Sequence, residues 1–81
     1  PAGVEPDAVR VTPWGSDPYS GGAYSFVPVG APRDVRNRLA RPVSGTLFFA
    51  GEATHRTDPA SVHGAYWSGF RAAGEILSLV A

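Results

Sequence analysis

From about Ala60 onward, Val62, Ala65, Tyr66, Gly69, Phe70, Ala73, Ile76, Leu77 and Val80 recur at the spacing that puts them on one helical stripe. The spacing predicts a long helix over about 60–80. Just upstream, Leu47-Phe48-Phe49-Ala50 is a continuous apolar run within 46–50, closed by Gly51. A run without alternation is expected of a strand buried on both faces, as in a parallel sheet. The second half therefore reads as α/β, a buried strand followed by a helix.

The first half is more broken. Most of the eight prolines and ten glycines fall in the first 45 residues and interrupt any long element there. Residues 1–7 read as an extended lead-in, and Val9 to Val11, alternating with Arg10, as a short strand before Pro13. Residues 14–22 are turn-rich, punctuated by Asp17-Pro18 and Gly21-Gly22. Ala23 to Val29 reads as a strand with Tyr24 and Phe26 on one face, and Pro28 puts its end at a sheet edge. Pro32 to Leu39 suits a short helix, with Val35 and Leu39 on one side and Arg33, Arg36 and Arg38 toward solvent. Arg41-Pro42 ends it, because the residue before proline avoids helical backbone.

The long helix has two candidate starts. Asp58-Pro59 makes a good cap and first-turn pair, and Ser61 can instead cap a helix beginning at Val62. Gly64, Ala65, Ser68, Gly69, Ala72 and Ala73 leave its first turns without bulk. A helical glycine costs about 1 kcal/mol against alanine, so a close approach of some neighbour is expected to compensate.

Composition narrows the partners. All seven basic residues are arginine and seven acids balance them, so the net charge is zero. Neutrality gives no electrostatic reason to expect nucleic acid or an anionic membrane. There is no cysteine, hence no disulfide framework and no thiolate metal site. No apolar run approaches a bilayer span and no secretory pattern opens the chain, so a soluble, cytoplasmic protein is the default expectation. With no methionine at all, Pro1 is expected to follow something removed upstream. A chain of 81 residues buries only about 60% of its unfolded surface, which makes it marginal as a domain by itself.

Several chemistries fit poorly. A Ser61, His63 and Asp58 triad fails because residues two apart on a helix diverge and no G-x-S-x-G elbow exists. His55 and His63 lack a third clustered ligand, so structural roles are expected in place of metal binding. No G-x-G-x-x-G follows a strand, so the usual dinucleotide fingerprint is absent from these residues. What remains is a strand end, a polar loop and a helix N-terminus, an arrangement that can present backbone N–H groups to an anionic or electron-accepting cofactor.

Two separated motifs carry a resemblance. One is Trp14 with Asp17-Pro18-Tyr19-Ser20-Gly21-Gly22-Ala23-Tyr24-Ser25. The other is Leu47 to Arg56, containing Gly51-Glu52-Ala53-Thr54, together with Ser61-Val62-His63-Gly64-Ala65 and Ser68-Gly69. Over roughly Thr12 to Ala81 the chain resembles the C-terminal segment of flavin-dependent amine oxidases, nearest the polyamine oxidase and histone-lysine demethylase branch. The resemblance implies a piece of a two-domain FAD-dependent fold, with 1–20 ending the substrate-binding domain and 21–81 forming the C-terminal part of the FAD-binding domain. It implies a polyamine oxidase-like enzyme that moves hydride from an amine to flavin, with reoxidation by O2. The remainder of the enzyme is then a required partner, and the isolated chain is expected to be inactive. An L-amino-acid oxidase or other flavoprotein of the same superfamily is the alternative, and a non-catalytic packing or interaction segment is a second.

By the same resemblance, Gly51 and Glu52 meet the FAD phosphate and ribityl region, and Ser61 and Val62 face the pyrimidine edge of the flavin. Trp14 packs near the flavin or the cavity. Tyr24 is the first aromatic-cage residue beside the amine, and Ser61 takes the second cage position, tyrosine in monoamine oxidases, leaving room for a longer amine. Ala23 stands where monoamine oxidases carry the cysteine that bonds to flavin, so non-covalent FAD is expected. Catalytic residues, including the lysine that many relatives place near flavin, are expected outside this chain.

Overall fold

Proline and left-handed backbone decide where regular structure begins and ends in the computed structural model, which describes residues 3–80. Two residues of the 1–7 lead-in and the last residue of the 21–81 unit lie outside that range. Helix α1 (Val35–Ala40) follows a turn in which the Pro32 carbonyl accepts the Val35 N–H at 3.2 Å. An i,i+4 pair, Arg38 Nε to Asp34 Oδ2 at 3.0 Å, supports its exposed side. The helix stops at Arg41, whose extended backbone precedes Pro42 as its sequence requires.

The segments expected to be strands, 9–11, 23–29 and 46–50, form no ladder among the described residues. A strand needs a neighbour for its N–H and C=O groups. The pairing seen is one antiparallel bridge, Val43 to Leu47, across a turn in which Ser44 and Gly45 both have positive φ, 55° and 65°. Residues 46–50 are only partly covered: Phe48 and Phe49 are half-buried, whereas Leu47 and Ala50 are exposed. The Phe49 carbonyl is instead taken by the Arg71 side chain at 2.6 Å.

Helix α2 (Val62–Val80) is the long helix the periodicity predicts. Of its two candidate starts, Ser61 is the one used. Its Oγ accepts the Gly64 N–H at 3.0 Å and donates to the Asp58 carbonyl at 2.6 Å. Ala60 is left-handed (φ 57°), which breaks any helix begun at Pro59.

The face that α2 buries is not the apolar stripe. Gly64, Ser68 and Ala72, four residues apart, are its buried positions. The helix packs on a short 3-10 helix, Glu52–Thr54, with Ser68 bonded to Gly51 at its start, while Gly64 is closed off by the Asp58 carbonyl and Ser61 Oγ. Small residues win here because the contact is between backbones. The Ser68 Oγ accepts the Gly51 N–H at 2.8 Å while donating to the Ala65 carbonyl at 2.6 Å. The stripe of Val62, Tyr66, Phe70 and Leu77 points outward, and Tyr66, Trp67 and Phe70 form an exposed cluster with ring centroids 5.1–5.6 Å apart, Tyr66 meeting the other two edge-to-face. Replacing Ser68 by alanine is expected to cost about 1–3 kcal/mol, because the Gly51 donor loses its acceptor at a site only 1% exposed. Thermal melts of the protein would read this directly.

Surface area says how incomplete this packing is. The chain exposes 6810 Å², against roughly 4,700 Å² for a self-contained globule of its mass. Its radius of gyration is 17.9 Å, against about 12 Å for a compact domain of this length. Ala40 and Ala72 are the buried apolar side chains among the described residues. No helix among them is long and apolar enough to cross a membrane.

Candidate functional site

The loop between the apolar run and α2 is organised by one carboxylate. Gly51 has φ 143°, a conformation side chains resist, and its carbonyl accepts both the Thr54 N–H (3.0 Å) and the Thr54 Oγ1 hydroxyl (2.7 Å), winding the 3-10 turn. That turn aims the Glu52 side chain inward. Glu52 Oε1 accepts the Ser25 N–H at 2.7 Å, and Oε2 accepts the Ser25 hydroxyl and the Ala60 N–H, each at 2.7 Å.

Arg36 closes the arrangement from α1. Its Nη1 donates to Ser25 Oγ at 2.8 Å and to the Ala53 carbonyl at 2.9 Å. The expected solvent-facing role of Arg36 is therefore corrected: it is half-buried and bridges three segments. The cause is a long-range partner, which helical periodicity does not encode.

The Ser25 hydroxyl is the main influence holding the Glu52 carboxyl below its ordinary value. The Ala60 and Ser25 N–H groups and the Arg36 guanidinium act the same way, and partial burial opposes them. A lowered folded-state value means this bracket contributes stability above the usual carboxyl range and loses it as pH falls through the lowered one.

Four of the residues expected at the cofactor, Gly51, Glu52, Ser61 and Val62, lie at the two ends of this loop. Tyr24 joins them through its neighbour Ser25, and Ser61 through its neighbour Ala60. Tyr24 itself is 69% exposed and Val62 89%. The N–H groups of Val62 and His63 have no acceptor among the described residues, as the first turn of a helix leaves them. Trp14 stands in the turn where the Pro13 carbonyl accepts the Ser16 and Asp17 N–H groups, and no hydrogen bond among the described residues ties it to this cluster.

Ser25, Arg36 and Ala60 escaped the sequence reading as site residues. Only Ser25 had a signal, its place beside Tyr24 in the first motif. His55 has a structural part: its Nδ1 accepts the Asp58 N–H at 3.0 Å. A separate cleft of about 510 Å³, lined in part by Arg41, Arg56, Trp67 and Arg71, contains none of the expected site residues.

A family model described as flavin containing amine oxidoreductase matches residues 1–77. Lysine-specific histone demethylase 1 homolog 2 of Arabidopsis thaliana is 54% identical over 76 residues, covering 91% of this chain and 10% of that protein. Polyamine oxidase 4 of Oryza sativa subsp. japonica is 52% identical over 75 residues, covering 93% of this chain and 15% of that protein. Histone demethylase-like protein A of Aspergillus fumigatus is 49% identical over 76 residues, covering 94% and 7%. The chain thus spans no more than 15% of the length of these three relatives.

Proposed function

The chain belongs to the flavin-containing amine oxidoreductases, and on that premise we propose that it supplies the cofactor edge and substrate cage of a larger, polyamine oxidase-like enzyme using FAD. The observation that carries this reading is the convergence on Glu52 of the segments bearing Tyr24 and Ser61, the two residues assigned to flank the amine. The surplus exposed surface supports the need for a larger body, in which 46–50 would join a sheet and the whole would be α/β. The isolated chain would then be inactive.

The residues present fit one side of a flavin. The open N–H groups of Val62 and His63, with the positive end of the α2 dipole, suit an electron-rich edge and stabilise charge there by roughly 0.3–2 kcal/mol. The bound flavin supplies a hydride acceptor for the amine α-carbon, with O2 taking the electrons afterwards. Tyr24 offers an exposed ring that attracts an amine or steers its lone pair. Ser61, spent on capping α2, leaves its side of the cage without a ring. Trp14 is assigned to the cavity wall near the flavin.

FAD should be held without a covalent bond, since Ala23 offers no thiol. Acid precipitation of the whole enzyme should leave yellow flavin in the supernatant, whereas flavin retained on the peptide containing Ala23 would refute this. The names of the relatives favour a second substrate reading, an N-methyl amine on a histone lysine. Anaerobic mixing with spermine or with a methyl-lysine histone peptide separates the two, because only the true amine bleaches the flavin absorbance. Bleaching by neither would remove both substrate readings and favour the L-amino-acid oxidase alternative.

A further inference from the structure

We propose that Glu52 is a positioning residue that locks the two walls of the amine site to each other, holding the backbone beside Tyr24 and the backbone beside Ser61 at one carboxylate. The inference rests on the assignment of Tyr24 and Ser61 to the cage. Ser25 lies 27 residues from Glu52 in sequence and Ala60 eight, yet both donate to the same side chain at 2.7 Å. Nothing else in the hydrogen-bonding of the described residues links these two segments directly.

The polarity of the network is fixed. Arg36 can only donate, so Ser25 Oγ accepts from it and must direct its own single proton at Glu52. Two backbone N–H groups also point there. Only a group that accepts on both oxygens satisfies all three donors. An amide of the same size would turn an NH2 toward at least one of them.

Backbone strain makes the lock consequential. Ala60 keeps a left-handed conformation (φ 57°) that a residue with a side chain holds only when its surroundings impose it. The bond from its N–H to Glu52 is one such restraint, and the next residue is Ser61. Released from the carboxylate, Ala60 relaxes and the Tyr24 wall shifts relative to Ser61, which keeps its own bonds to Asp58 and Gly64 while α2 keeps its seat through Ser68 and Arg71.

The test uses the complete FAD-loaded enzyme, with whichever of spermine and a methyl-lysine histone peptide it oxidises. Glu52→Gln should raise KM for the amine about tenfold, with a smaller effect on kcat and full FAD content, because the walls shift while cofactor and fold remain; Ser25→Ala, which loses the hydroxyl bond but keeps both backbone N–H bonds to Glu52, should raise it about threefold. The double variant should be no worse than Glu52→Gln alone, since the Ser25 hydroxyl acts on the walls through the Glu52 carboxylate. Ser25→Ala keeps the result readable where Glu52→Gln folds poorly. Tyr24→Ala is the control. If it raises KM and the other two do not, the lock falls and the cage stands. If it leaves KM unchanged, the cage assignment falls and the inference with it. FAD loss in step with the KM rise makes Glu52 a cofactor residue and overturns the positioning role.

Discussion

Gly64→Ala should destabilise the enzyme by about 2 kcal/mol or more, even though alanine is the better helix former by about 1 kcal/mol. A Cβ at Gly64 would fall on the Asp58 carbonyl oxygen, far inside contact distance, and 2.8 Å from Ser61 Oγ. Neither neighbour can withdraw cheaply. The Asp58 carbonyl is backbone and accepts the Ser61 hydroxyl at 2.6 Å, while Ser61 Oγ caps Gly64 itself. Relief would require the 58–61 turn to open, which frays the helix start beside the proposed flavin edge. Thermal melts and the ratio of flavin to protein absorbance should therefore fall together. A variant that melts higher than the parent would mean that this turn is free to move.

Tyr24→Ala should lower kcat/KM for the amine about thirtyfold, the equivalent of about 2 kcal/mol for a desolvated cation–π contact. FAD content should hold. The ring makes no hydrogen bond among the described residues, and Ser25, which keeps its three contacts, anchors the backbone there. Tyr24→Phe should retain most of the activity, because the face of the ring and not the hydroxyl does the work. Parallel loss of flavin and activity in the alanine variant would make Tyr24 a cofactor or packing residue.

How much of this was legible in the sequence depends on the range of each interaction. The α2 helix and the stop at Arg41-Pro42 rest on neighbours within four residues and could be read directly, while the sequence offered Ser61 as one of two possible caps and the left-handed Ala60 decides for it. The family could be read too, since it rests on residue order in two motifs. The buried face of α2 could not. Hydrophobic spacing selects the apolar stripe as the core, whereas the seat on Glu52–Thr54 selects by size, and the apolar stripe has no partner among the described residues. The segments 9–11, 23–29 and 46–50, expected to be strands, form no ladder among the described residues, because pairing depends on neighbours that a segment's own pattern does not name. The Arg36, Ser25 and Glu52 network spans up to 27 residues and leaves no periodic trace.

Helix α2 therefore obeys two substitution grammars at once. At the buried positions Gly64, Ser68 and Ala72, tolerance should rank by volume: Gly64 takes no side chain, and at Ser68 and Ala72 a small residue passes and a methylene too many fails. At Tyr66, Phe70, Ala73 and Leu77, the outward stripe, it should rank by polarity, with leucine and methionine interchangeable and aspartate excluded. A deep mutational scan of these 19 positions would sort them into the two classes every third or fourth residue. The boundary between the classes would trace, without any further structure, the outline of whatever surface covers the outward stripe in the proposed larger enzyme.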